Sequence, residues 1–382
     1  MTNFVVNQFA QPQVATEEFV SPLSFHQRLP EYHPSRLVEL PQTAKNLGVG
    51  GVWIKDESSR MGLPSFKILG ASWATYRALE KLAGGGFEDW STTEELGEQV
   101  RAKTSIRKLS AATDGNHGRA VARVARWLGL ESIIFVPKGT VSARIEAIEG
   151  EGAEVVVVDG TYDEAVARSA EEANEECIVV SDTSWEGYTE IPGWVIDGYS
   201  TIFQEAAEQF HESSTFYPDV VVVQMGVGAL AASVVRYHRG QGGPGAKILG
   251  VEPDTAACVL ASIEAGEPVS VPGPHPSIIA GLNCDTPSMI AWPQLKTGID
   301  AFVAISDEAA KEGMRELAQQ QVVSGETGAA GLAGIVQGAK ASDVVSALGL
   351  GPESRVLLIS TEGATDPEAY EAITGMSITA SK

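Results

Sequence analysis

Cysteine is scarce in this sequence: Cys 3 in 382 residues. So few thiols exclude a disulfide scaffold and make a reducing, cytoplasmic setting the expectation. Cations are scarce as well. Lys+Arg 27 stand against Asp+Glu 50, a formal net charge of -23. Nucleic acid and anionic membrane are disfavoured as partners, because both need a cationic face. A phosphate is not excluded, since backbone N–H groups can bind one without surplus basic residues. Long apolar runs are missing. Stretches such as Val220–Val223 are far too short to span a bilayer. Met1 to Val20 holds no Lys or Arg, and Asn7, Gln8 and Gln11 break its apolar residues, unlike a secretory signal. The six His residues are scattered, with no metal-ligand spacing, so no metal is expected. There is no periodic repeat, so no solenoid.

Glycine, by contrast, is abundant at Gly 40. Its placement follows an alternation of strand and helix signals. Strands are expected at Gly51–Lys55, Lys108–Ala112, Ser132–Pro137, Glu154–Val158, Ile178–Val180, Asp219–Gln224, Lys247–Glu252, Ala301–Ile305 and Arg355–Ser360. Helices are expected at Ser65–Leu82, Gly118–Leu128, Ser142–Glu149, Tyr162–Glu175, Ile191–Phe210, Ala229–Tyr237, Asp307–Gln320 and Ala329–Ala341. Phe87–Thr104 reads as an acidic, weakly patterned insertion, a surface excursion or a lid. Continuous apolar strands alternating with helices imply parallel sheets covered on both faces. The fold class is α/β, with two doubly wound domains. Residues 1–75 and 199–382 are expected to form the larger domain and residues 76–198 the smaller. Ligands in such folds sit at the carboxyl ends of strands.

Five strand-to-helix turns carry chemistry. Pro64-Ser65-Phe66-Lys67 places a lysine in the first turn of a helix. Most such lysines point outward to solvent. A partly desolvated amine at a positive helix end, however, has its neutral form favoured, as an imine-forming lysine requires. Ala112-Thr113-Asp114-Gly115-Asn116-His117-Gly118 offers glycines and a helix N-terminus, a cradle for a carboxylate. There Asn116 can reach a phenolic oxygen, and a lone His117 is more often structural than catalytic. Gly226-Val227-Gly228-Ala229-Leu230 opens a helix after an apolar strand. Ala231 stands where a dinucleotide motif would have its third glycine, so the turn reads as a nest for a single phosphate. In Ser181–Tyr188, Asp182 is either a helix N-cap or a site residue. Ser360-Thr361-Glu362-Gly363 ends the last strand with hydroxyls that can bond a heterocyclic nitrogen or cap a turn. A lysine nucleophile, a phosphate nest, a carboxylate cradle with an Asn, and strand-end hydroxyls together describe a site for pyridoxal 5'-phosphate.

The sequence resembles the fold type II pyridoxal-phosphate enzymes, the threonine and serine dehydratase group of the tryptophan synthase beta superfamily, over most of the chain. Within that group it looks most like the diaminopropionate ammonia-lyases. The resemblance rests on Lys55-Asp-Glu-Ser-Ser-Arg60, Pro64–Ala71, Ala112–Gly118, Asp182–Tyr188 with Ile191-Pro192, and Gly226–Ala229. Ala280–Leu282, Ser324–Gly328 and Ser360–Gly363 complete it. General dehydratases usually read Ser-x-Gly-Asn in the carboxylate loop, where this chain reads Thr113-Asp114-Gly115-Asn116. The resemblance implies two α/β domains with a cofactor cleft between them, and a homodimer. Lys67 would be the Schiff-base lysine, and Asp114 and Asp182 the acid–base residues. Phe66, Asn116, Gly226, Val227, Gly228, Ala229, Leu230, Ser360 and Thr361 would contact the cofactor. Ser65, Thr113, Asp114, Gly115, Asn116, His117 and Asp182 would face an amino-acid substrate.

The implied reaction is α,β-elimination of 2,3-diaminopropionate, D or L, to pyruvate and two ammonia. An Asp beside a carboxylate cradle would repel an ordinary amino acid but suits a substrate with a second ammonium. A serine or threonine dehydratase is the nearest alternative, and a catalytically inert cofactor carrier a more distant one. Cys258 and Cys284 read as small core residues in preference to a redox pair.

Overall fold

The computed structural model describes residues 3–14, 20–113, 115–213, 217–240 and 243–378. The chain forms two units. The larger takes Met1–Phe19, Pro34–Ser59 and Ile202–Lys382; the smaller takes Val20–His33 and Arg60–Thr201. The strands are β1 (Phe4–Val6), β2 (Arg36–Glu39), β3 (Gly51–Asp56), β4 (Lys108–Ala112), β5 (Glu131–Pro137), β6 (Glu154–Val158), β7 (Cys177–Val179), β8 (Val220–Gln224), β9 (Lys247–Pro253), β10 (Ala301–Ile305) and β11 (Arg355–Ser360).

The larger unit is built on a seven-stranded sheet in the order β1-β10-β9-β8-β11-β3-β2. Its five inner strands run parallel, and the two edges, β1 and β2, run antiparallel. Inner strands buried on both faces need apolar side chains throughout, and β8 and β10 are buried at every position. Alternate residues such as Val220 and Val222, Leu249 and Val251, and Val356 and Leu358 feed one core with helices Asp307–Gln319 and Glu326–Gly338. The chain passes from β8 outward through β9 and β10, then returns to place β11 between β8 and β3. The strand order therefore reverses at β8/β11, where a doubly wound sheet opens a crevice at its carboxyl ends.

The smaller unit holds a four-stranded parallel sheet, β6-β5-β4-β7. Its boundaries lie away from 75 and 198. Residues 60–75 fall with the smaller unit, because helix Lys67–Leu82 is continuous and packs along helix Glu190–Gly198 of the same unit.

Three further departures have local causes. The 87–104 insertion contains a helix, Thr93–Lys103, whose apolar stripe is only Leu96 and Val100. The Thr92 hydroxyl accepts the Glu95 N–H, acids fill the first turn and bases the last, so caps and charge replace a long stripe. The expected Ile191–Phe210 helix is two, Glu190–Gly198 and Thr201–Ser213, broken where Tyr199 buries its ring against Phe66 at a centroid distance of 4.6 Å. Helix Tyr162–Ala170 stops before the acidic run Glu171-Glu172. No helix among the described residues is long and apolar enough to cross a membrane.

Candidate active site

Lys67 is the first residue of helix Lys67–Leu82 in the smaller unit. Its Nζ donates to Asp182 Oδ2 at 2.6 Å. The lysine side chain keeps 23% of its exposure and the aspartate 8%, so the pair is largely dry and open on the lysine side. This carboxylate offsets the positive helix end, an effect that the lysine's own surroundings in sequence do not reveal.

Asp182 lies just beyond β7 and is no helix N-cap. Thr189 precedes the next helix, and both Asp182 oxygens are engaged elsewhere. Oδ1 accepts the Tyr162 hydroxyl at 3.2 Å. His117 Nδ1 stands 3.9 Å from Oδ2. The other ring nitrogen of His117 bonds the Val180 carbonyl at 2.8 Å; a carbonyl only accepts, so Nε2 carries the proton. Burial alone would raise the Asp182 carboxyl. The Lys67 ammonium, His117 and the bonds from Lys67 and Tyr162 outweigh burial and hold it well below the usual carboxylate range. The loop is braced behind the carboxylate: Tyr188 donates to Val179 O at 2.7 Å and accepts from Ser181 N at 3.1 Å. Trp185 and Tyr188 stack at 4.1 Å.

The Thr113–His117 turn enters helix Asn116–Leu128 after β4. Thr113 Oγ1 accepts the Gly115 N–H at 2.9 Å. A Cβ at Gly118 would overlap Thr113 Cγ2, so glycine lets this helix approach the turn. Ser65, Thr113 and His117 are buried, and Asn116 is half-buried at the helix start. Asp114 lies outside the described residues.

The remaining sequence-derived residues belong to the larger unit. Gly226 and Val227 are half-buried between β8 and helix Ala229–Arg239. Gly228 takes φ +95, and a Cβ there would overlap Leu295 Cδ1. Any other residue would be strained and obstructed. The first-turn N–H groups of that helix lack intrahelical partners, and no lysine or arginine occupies the turn. The donor set fits a single phosphate held by backbone. Beside it in the sheet, β11 ends at Ser360 and Thr361 follows, both buried. Ser360 Oγ lies 2.8 Å from Ser324 Oγ. Neutral hydroxyls at this strand end fit an unprotonated ring nitrogen, so the residues present fit pyridoxal phosphate.

Two groups in these surroundings escape the sequence reading. Tyr162 sits twenty residues before the carboxylate it holds, with no local signal. Gln224 is a polar residue closing the run Val220–Val223, which is itself a signal that a buried strand end has a polar partner. Its Nε2 donates to Thr327 O, Ile359 O and Thr361 Oγ1 at 2.9, 2.9 and 3.1 Å. Cys258 is buried and Cys284 half-buried, and no disulfide joins them. Cys284 Sγ would lie 3.0 Å from a Cβ at Gly226, so it packs beneath the turn.

The pyridoxal-phosphate dependent enzyme family matches residues 29–362. The diaminopropionate ammonia-lyase of Salmonella typhimurium is 37% identical over 366 residues, 92% of this chain and 90% of that one. The crystal structure of diaminopropionate ammonia-lyase from Escherichia coli in complex with D-serine has a TM-score of 0.87 and 35% identity. That match covers 97% of this chain and 96% of the other. The biosynthetic L-threonine dehydratase of Haemophilus influenzae stands further off, 29% identical over 74% of this chain and 48% of its own length. The chain belongs to the family of fold type II pyridoxal-phosphate dependent enzymes and, within it, to that of the diaminopropionate ammonia-lyases.

Proposed function

We propose that the chain catalyses α,β-elimination of 2,3-diaminopropionate, in D and L forms, to pyruvate and two ammonia. The observation that carries this is the buried, charged Asp182 carboxylate 2.6 Å from the amine of Lys67. An anion at that place favours a substrate with a β-ammonium over one with a neutral hydroxyl. In this reading Lys67 attaches pyridoxal phosphate, with Phe66 and Asn116 against its ring. The Gly226–Leu230 turn holds its phosphate, and Ser360 or Thr361 faces its ring nitrogen. When bound, the group supplies an electron sink for charge left at Cα.

The chain's own residues do the rest. Ser65, Thr113, Gly115, Asn116 and His117 hold the substrate carboxylate. Asp182, already ionised, takes the Cα proton of one enantiomer, and Asp114 takes that of the other. Tyr162 fixes one Asp182 oxygen, leaving Oδ2 to exchange protons with Lys67. The β-ammonium already carries its proton and departs as ammonia, and the released lysine assists by taking up the proton that Asp182 acquires from Cα. The two units are read as the two domains. Acidic composition and few cysteines support a reducing, cytoplasmic setting without nucleic acid or membrane, and family membership supports a homodimer.

A substrate panel tests the reading: DL-2,3-diaminopropionate, D- and L-serine and threonine, with pyruvate and ammonia measured together. Two ammonia per pyruvate and fastest turnover of diaminopropionate are expected. Equal or better turnover of threonine overturns it in favour of a dehydratase.

A further inference from the structure

We propose that Gln224 is a positioning residue for the cofactor, one that fixes the hydroxyl-bearing end of β11 relative to the phosphate turn. The inference rests on the assignment of the Gly226–Leu230 turn and β11 given above, and goes beyond it.

The sheet itself does not hold these two parts together. The pairing of β8 with β11 runs only through Val356↔Val220 and Leu357↔Val221, at the start of both strands. Toward Gln224 and Ser360 the strands part, as expected where strand order reverses. The turn that would hold the phosphate continues from β8, and the hydroxyls continue from β11. Something must set the separation of the two.

The Gln224 side chain lies in that gap and is 2% exposed. Its Nε2 reaches Ile359 O at 2.9 Å and Thr361 Oγ1 at 3.1 Å, on either side of Ser360. It also reaches Thr327 O at 2.9 Å and Gly328 O at 3.3 Å, in the first turn of helix Glu326–Gly338. Three of these four neighbours are carbonyls, which only accept, so the amide nitrogen must face them. On the amide's other side Oε1 is buried with no hydrogen-bond partner among the described residues, and a Cβ at Gly331 would come within 3.2 Å of it. Ser324, just before that helix, bonds Ser360. One amide therefore ties the strand that carries the phosphate turn, the strand that carries the hydroxyls, and the helix whose preceding residue braces Ser360. Because it makes all of this through N–H groups, a side chain of equal length without them cannot replace it.

Titrations of the cofactor-free protein with pyridoxal phosphate and, separately, with inorganic phosphate test the proposal. Gln224→Met is expected to weaken pyridoxal phosphate about tenfold, on the scale of a lost buried hydrogen-bond set. Phosphate affinity should stay at the wild-type value. The ring-nitrogen 15N resonance of bound pyridoxal phosphate should move as well. Unchanged affinity for both ligands overturns the proposal. So does a parallel loss of both, which would mark a merely structural residue. If Gln224→Met does not fold, Gly331→Ala places a Cβ 3.2 Å from Gln224 Oε1 and displaces the amide from a residue outside the cofactor set, and the same selective loss supports the proposal while no loss refutes it. Gly228→Val separates the underlying assignment: it should abolish phosphate binding. Retained phosphate binding in that variant means the turn is not the phosphate site, and the role of Gln224 falls with it.

Discussion

Removing the amine of Lys67 should destabilise the cofactor-free protein in a pH-dependent way. Lys67→Ala leaves Asp182 buried with the Tyr162 hydroxyl and His117 still beside it. Breaking a buried pair by deleting one partner typically costs about 3–5 kcal/mol. Lys67 retains 23% of its exposure, so water screens part of the pair. The Tyr162 bond also persists, which places the loss nearer ~2 kcal/mol. In a unit of this size that corresponds to roughly 4–8 °C in melting temperature.

The direction with pH follows from Asp182. In the native protein its folded value is depressed. The pair therefore contributes stability that is present above the unfolded value, about pH 4, and is lost only as pH falls through the folded one. In Lys67→Ala burial dominates and the folded value rises. The deficit should be full at pH 8 and shrink as acid protonates the buried group. Calorimetry of both proteins at pH 8 and pH 5 measures it. Asp182→Asn added to Lys67→Ala should recover most of the loss, since it removes the uncompensated charge. Equal melting temperatures at pH 8, or a deficit that grows as pH falls, would refute the ion-pair argument. The variant should also lack the near-visible Schiff-base absorbance with pyridoxal phosphate.

Two further outcomes follow from the geometry. Tyr162→Phe removes the hydroxyl bond to Asp182 Oδ1. The turnover of one diaminopropionate enantiomer should fall at least about tenfold, since a hydrogen bond to a charged group is worth about 1.5–3 kcal/mol, and that of the other much less. Equal loss for both enantiomers in steady-state assays would argue against assigning Asp182 to one of them. Gly228→Ala places a Cβ against Leu295 at φ +95. Cofactor affinity should drop at least about tenfold from strain alone, while wild-type affinity by fluorescence titration would show that the turn is not the phosphate site.

The parallel core was legible because its strands are predominantly apolar, with Ser110 the buried polar exception in β4: β4, β6, β10 and β11 stand where the apolar runs and turn glycines put them. The edge strands β1 and β2 were not, because each is short and takes its conformation from pairing with β10 and β3. Helix Thr93–Lys103 was missed because two apolar residues make no visible stripe, and its caps act through side-chain bonds. The break at Tyr199 depends on a ring partner far away in sequence, Phe66. At the site, the turns announced themselves through Gly228, Gly115 and Gly118. The identities Lys67, Asp114 and Asp182 came from the motif resemblance. The Lys67–Asp182 pair, 115 positions apart, and the bridging role of Gln224 are tertiary facts that no local pattern contains.

The order of strands in the larger sheet also bears on how the molecule comes into being. β11 is the last strand in the sequence, yet it is inserted between β8 and β3. Until Arg355–Ser360 has been synthesised, β3 pairs only with β2, and β8 only with β9. The smaller unit needs nothing beyond Thr201 and can be complete much earlier on the ribosome. Closing the larger sheet over so long an intervening chain is the slow, entropically costly step. The acceptors of Gln224, from Thr327 to Thr361, arrive in that same late stretch. A nascent chain thus acquires its lysine–carboxylate pair first and the Ser360 and Thr361 hydroxyls last.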